Sequence, residues 1–141
     1  MHLNGLHAMV IEADANDLLM IGNLLNALGI TCKRNTTGDG VMAQVRRLKP
    51  TPDFILLDVD LPQGDVNAIC HELRNDPGLM IPVITIAEAF TPEMLAEAAL
   101  CGVAACVEKP LPRHYMNRII STVITEPHSP GELPILYVPC N

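Results

Sequence analysis

Residues Phe54 to Pro62 read FILLDVDLP. Four apolar side chains run straight into Asp58, Asp60 follows, and a Leu-Pro pair closes the stretch. A continuous apolar run of this length, bounded by a turn signal, is the pattern of a strand buried on both faces. Burying a carboxylate is costly unless it is paired or bound to a cation. The two acids therefore belong either at a solvent-facing strand end or beside a cationic partner from elsewhere in the chain.

The flanking sequence alternates between strand and helix signals. HAMVIE (His7 to Glu12) has strand length. It is followed by a helical pattern with apolar residues at Leu18, Ile21, Leu25 and Leu28, Asp14 as N-cap, Asp17 three residues on, and Gly29 as the stop. ITCKRN reads as an edge-like strand, and GDGVMAQVRRLK as a short helix ended by Pro50. After the central PDFILLD come the helix GDVNAICHELRND, the strand IPVITIA and the helix TPEMLAEAALCG, with Thr91 as N-cap and Pro92 in the first turn. The strand VAACVE and the amphipathic helix PRHYMNRIISTVIT complete the series. Five strands alternating with five helices predict a doubly wound α/β fold. Its five-stranded parallel sheet has order 2-1-3-4-5 and helices on both faces, in three layers. Residues 1–125 form that unit. Residues 126–141, with Pro127, Pro130, Pro134 and Pro139, read as a C-terminal tail or linker.

Composition narrows the function classes. A net charge of −7, with Arg46, Arg47 and Lys49 as the only basic knot, argues against a nucleic-acid surface. Although 49% of residues are hydrophobic, no apolar run approaches the length of a membrane span. No basic stretch precedes an apolar one at the N-terminus, so no secretion signal is expected. The five cysteines include no Cys-x-x-Cys pair, which disfavours a disulfide framework or zinc site and suits a reducing, cytoplasmic location. The five histidines lack ligand spacing.

In such a sheet, ligands bind beyond the carboxyl ends of the strands, where the strand order reverses. Glu12 and Asp14 close the first strand, Asp58 and Asp60 the third, and Glu108-Lys109-Pro110 the fifth. Carboxylates and one lysine thus converge from distant parts of the chain. Oxygen-rich sites suit a hard cation such as Mg²⁺, and the combination suits phosphoryl chemistry.

At these residues the chain resembles the receiver domain of bacterial two-component response regulators, a flavodoxin-like fold. The resemblance covers about His7 to Thr125. It rests on the acidic end of strand one, LLDVDLPQGD, IPVITIA and VEKPL, in order and at matching spacing. It implies that Asp58 is the phosphoacceptor, attacking a phosphohistidine donor to form an acyl phosphate. It implies that Lys109 pairs with the acceptor and then with a phosphoryl oxygen, and that Pro110 follows a cis peptide bond. Mg²⁺ would be held by Glu12, Asp58 and the backbone carbonyl of Asp60, with Asp14 as a further candidate; Asp65 matches an aspartate of the turn after strand three. The implied partners are a sensor histidine kinase or phosphotransfer protein and a downstream effector, with no nucleic acid or membrane, and with homodimer formation open.

Four positions depart from the family pattern. Ala13 stands where a second acid coordinates Mg²⁺, Ala87 where a Ser or Thr bonds the phosphoryl group, Glu88 where a small residue follows, and Cys106 where an aromatic ring switches. Weak Mg²⁺ binding and a weak surface response follow. Two readings result. In one the chain is a receiver phosphorylated on Asp58 with atypical or impaired activation, its chemistry limited to phosphotransfer and slow self-dephosphorylation. In the other it is a pseudo-receiver, a docking module that works without phosphorylation. Under the second, Asp58 and Lys109 form a structural ion pair, Asp60 and Asp65 are turn acids, Glu12 and Asp14 are a strand end and a helix cap, and Cys106 is a small buried residue.

Overall fold

The computed structural model describes residues 3–62, 65–125 and 136–140. Its elements are β1 (His7–Ile11), α1 (Ala15–Ala27), β2 (Thr31–Asn35), α2 (Val41–Arg47), β3 (Phe54–Asp58) and α3 (Val66–Asn75). They continue with β4 (Val83–Ala87), α4 (Pro92–Leu100), β5 (Ala105–Glu108), α5 (Met116–Thr125) and β6 (Leu136–Val138). All strands pair in parallel, in the order β2-β1-β3-β4-β5-β6. The first five keep the expected 2-1-3-4-5 order, but among the described residues the sheet has six strands, not five. The sixth comes from Leu136-Tyr137-Val138, a run too short for period-2 alternation to register in a sequence dominated by prolines. Residues 126–135 and 141, read from sequence as part of a tail, lie outside the described residues, as do residues 1, 2, 63 and 64.

Local signals set the helix ends. The Asp14 side chain accepts from the Asp17 amide at 2.9 Å, capping α1. Gly29, with φ of 78°, supplies the left-handed residue just past its end. Thr91 caps α4, and Pro92 occupies the first turn. Tyr115 and Met116 donate their amides to the Pro112 carbonyl, so α5 begins at Met116 instead of Pro112.

Strand alternation divides the core between two faces. Ala8, Val10, Phe54, Leu56, Ile84, Ile86, Ala105 and Val107 pack under α1 and α5. Met9, Ile11, Ile55, Leu57, Val83, Ala87 and Cys106 pack under α2, α3 and α4. Every residue of β3 and β4 is buried, as the opening stretch required. Full burial of one such aliphatic side chain is worth roughly 1.5–3 kcal/mol.

All five cysteines are thiols, with Cys140 exposed, Cys32 and Cys101 half-buried, and Cys70 and Cys106 buried. Burial pushes Cys70 up to about 12 and Cys106 up to about 11. The thiolate is the reactive form. Native protein treated with an alkylating reagent at neutral pH should therefore be labelled first at Cys140, with Cys70 and Cys106 labelled only after unfolding. Peptide mass mapping after timed quenching checks this; early labelling at Cys70 would contradict the packing under α3.

Candidate functional site

The two-residue period of a strand builds the site. On β1 the positions facing α1 are Ala8, Val10 and then Glu12; on β3 they are Phe54, Leu56 and Asp58; along β5 they are Ala105, Val107 and Lys109. The register places Val10 beside Leu56, Asp58 beside Ile86, and Ile86 beside Val107. Continuing one pleat beyond the apolar rows therefore brings Glu12, Asp58 and Lys109 to one edge, on one face. The Lys109 amide donates to the Ala87 carbonyl at 2.8 Å, which ties the residue after β5 to the end of β4. The Lys109–Pro110 peptide bond is cis.

The Lys109 ammonium lies among three carboxylates. Its Nζ is 2.8 Å from Glu12 Oε1, 2.8 Å from Asp17 Oδ2 and 3.4 Å from Asp58 Oδ2. Glu12 is fully buried, and Asp58 is 4% exposed. Glu12 Oε1 faces the Lys109 ammonium, which compensates it; Oε2 accepts from the Asp14 amide at 3.2 Å. Burial pushes the Glu12 carboxyl up to about 7, and neighbouring Asp58 adds to the rise, while Lys109 and the Asp14 amide oppose it. Burial works against the Lys109 charge, but hydrogen bonds to Asp17 and Glu12, with the Asp58 charge, hold it above the ordinary lysine range.

The other candidates have separate tasks. Asp14 uses its carboxylate to cap α1, and Asp65 caps α3 by accepting from the Ala68 amide at 3.1 Å. The Asp60 amide donates to Asp58 Oδ1 at 2.9 Å, and the Asp60 side chain accepts from the Glu88 amide at 3.4 Å. Ala13 and Glu88 are exposed, and Ala87 is buried. Cys106 is buried against Thr85, whose hydroxyl lies 3.2 Å from its sulfur. That hydroxyl is directed into the sheet, toward Cys106 and the Ala105 carbonyl.

Asp17 was read from sequence only as a first-turn acid, yet it makes one of the two shortest contacts to Lys109. A signal was present: Ile21 and Leu24 lie four and seven residues further on and are buried, so Asp17 begins the inward stripe of α1. Glu108, read from sequence as one of the acids converging at the sheet edge, serves another task. Its carboxylate accepts from the Cys140 amide (2.9 Å), the Tyr137 hydroxyl (2.7 Å) and the Phe90 amide (2.9 Å), and these bonds hold it below the usual carboxylate range. The Phe90 and Tyr137 rings meet edge to face, with centroids 6.2 Å apart.

The Mg²⁺ implied by the sequence resemblance does not fit these residues as they stand. Mg²⁺ demands oxygen ligands at about 2.0–2.1 Å in octahedral array. Here the carboxylates surround a nitrogen at 2.8–3.4 Å. Among the described residues, no group of three His, Cys, Asp or Glu side chains is arranged to hold a metal. No helix among them is long and apolar enough to cross a membrane.

Comparison with known proteins agrees with this geometry. The sensor histidine kinase CheAY of Helicobacter pylori is 23% identical over 117 residues, which is 82% of this chain and 15% of that protein. The chain thus spans a small part of that relative's length. Two solved structures share the fold. One is a CheY-like response regulator receiver domain protein from Methanospirillum hungatei, with TM-score 0.76, 15% identity, and coverage of 86% of this chain and 94% of that one. The other is the receiver domain of a signal transduction histidine kinase from Syntrophus aciditrophicus, with TM-score 0.74, 21% identity, and coverage of 84% and 89%. The family model described as response regulator receiver domain matches residues 8–121, from the first strand through most of α5. With its parallel sheet in the order such domains use, and an aspartate and a lysine meeting at the carboxyl edge of that sheet, the chain belongs to the response regulator receiver domain family.

Proposed function

We propose that residues 1–125 form a two-component receiver unit that accepts a phosphoryl group on Asp58 and responds to it weakly. The observation that carries this reading is Asp58 at the end of β3, with Lys109 Nζ 3.4 Å from Oδ2 and the Asp60 amide on Oδ1. A carboxylate oxygen attacks the phosphorus of a phosphohistidine, the P–N bond breaks, and the imidazole leaves with a proton. The product is an acyl phosphate on Asp58. Lys109 offsets part of the added negative charge from a fixed position. The donor is a sensor histidine kinase or phosphotransfer protein, and the response is passed to an effector protein or domain.

The weak response follows from side chains that do not change partners. Ala87 has no hydroxyl to bond a phosphoryl oxygen, and Cys106 has no ring to swing. Modification shifts a conformational equilibrium only through its differential interaction with the two states. Incubation with acetyl phosphate or phosphoramidate and Mg²⁺ should add one phosphoryl mass to the chain and none to Asp58→Ala. Amide shifts should then move around Asp58 while those of Cys106 and α5 stay nearly fixed. Large shifts across α4, β5 and α5 would show that another residue carries the coupling.

A second reading, phosphorylation-independent docking, is favoured by the same lysine: its Glu12 and Asp17 contacts are both shorter than its Asp58 contact. A folded chain that gains no phosphoryl mass from either donor would establish that reading over the first.

A further inference from the structure

We infer that the Lys109 ammonium, drawn in by Asp17 and Glu12, is itself the cation of this acidic site and closes it to divalent metals. The inference refines the site just proposed for phosphoryl acceptance. It is tested by metal binding alone, so it can fail while phosphorylation succeeds, and the reverse.

Three features support it. The first is occupancy. Lys109 Nζ carries three protons and has three carboxylate oxygens around it, at 2.8, 2.8 and 3.4 Å, with its side chain only 9% exposed. A divalent ion bridging Glu12 and Asp58 would have to displace this ammonium or sit against it, and like charges at such range repel strongly in a buried setting. The second is compensation. Glu12 Oε1 is sealed from solvent, and the ammonium at 2.8 Å is what balances it. A buried charge needs a counter-charge, and here the chain supplies one from its own backbone position after β5.

The third feature is Asp17. Ala13 removes a carboxylate from the loop after β1, and Asp17 puts one back from the first turn of α1. The replacement is attached differently. Asp17 reaches the lysine at 2.8 Å, and its amide is fixed by the Asp14 cap at 2.9 Å. A carboxylate placed there pulls Nζ toward α1 and leaves Asp58 with the longest of the three contacts. Asp17 is thus a positioning residue: it acts on Asp58 through where it holds Lys109. It also makes the number of acids a poor guide to metal affinity here, since the acid that compensates for Ala13 serves a lysine.

The probe is Mn²⁺, read by loss of the free-ion electron paramagnetic resonance signal with the full chain. Wild type and Asp17→Asn should both show no binding beyond that of exposed carboxylates elsewhere on the chain. Lys109→Gln leaves Glu12, Asp17 and Asp58 without their cation and should bind Mn²⁺ at least about tenfold more tightly than wild type, the scale expected from removing one positive charge beside the site. Adding Asp17→Asn to Lys109→Gln should leave that gain in place, because Asp17 acts on the site through the lysine. Wild type binding as tightly as Lys109→Gln would overturn the inference, and a double variant that loses the gain would overturn the positioning role of Asp17, showing it to be a metal ligand instead. If Lys109→Gln does not fold, wild-type amide spectra decide. Mn²⁺ should leave the signals of Val59 and Lys109 no more broadened than those of remote β2, and selective broadening at the former overturns the proposal.

Discussion

Lys109→Met is expected to destabilise the chain by about 3–5 kcal/mol at pH 8, the range found when one partner of a buried ion pair is removed and the other is left uncompensated. Glu12 is fully buried, and the lysine is its closest cation. The loss should depend on pH. In the wild type, Lys109 is one of the groups that lowers Glu12, against the upward push of burial and Asp58. Without the lysine, the native carboxyl rises further above its ordinary 4.5, so the native state keeps a proton that the unfolded chain has released. Both proteins lose stability as pH climbs from 4.5 to about 7, where the wild-type carboxyl releases its proton. The variant goes on losing it above that, so the difference between them opens above about 7. Urea unfolding of both proteins across that range measures it. Adding Glu12→Gln to Lys109→Met should recover part of the loss, because the orphaned charge is gone. A difference that is flat with pH would mean that Glu12 is not the group left uncompensated.

Phe54→Ala is the second large effect, about 3–5 kcal/mol, from lost transfer energy plus a cavity that the sheet cannot collapse. Phe54 is the largest fully buried side chain, at the start of β3 and under α1 and α5, with Ala8 as its register partner on β1. A small neighbour on the adjacent strand leaves little to fill the space. The urea midpoint should fall with an unchanged slope. Against a typical total of about 5–15 kcal/mol, the variant stays folded only with a narrow margin. A cost below about 1 kcal/mol would mean that α1 or α5 settles into the gap.

The helix and strand series was legible because each element carried a redundant signal. β3 had an unbroken apolar run, α1 had Asp14 and Gly29 at its ends, and α4 had Thr91-Pro92. The meeting of Glu12, Asp58 and Lys109 was legible because parallel order and strand alternation fix which residues share an edge and a face. Asp17 was not, because one acid in a first turn satisfies the helix dipole in any protein; its inward direction shows only when its phase is read against Ile21 and Leu24. β6 was not, because a three-residue strand has no periodicity. What holds it is a carboxylate 28 or more residues earlier, at Glu108. Asp14 illustrates the reverse: a plausible ligand by position, it is already engaged as a cap.

The two margins of the sheet are protected in different ways. β2 carries Lys33 and Arg34, and charged side chains discourage another chain from joining an outer strand. β5 is Ala-Cys-Val-Glu, with no charge until its last residue, and β6 pairs along it. A chain shortened to residue 125 would therefore uncover an apolar margin with open amides and carbonyls. It would also release the Glu108 carboxylate from its Tyr137 and Cys140 donors. Self-association of the shortened chain, seen as rising mass with concentration in sedimentation, is the expected result, while the 141-residue chain keeps that margin filled by β6.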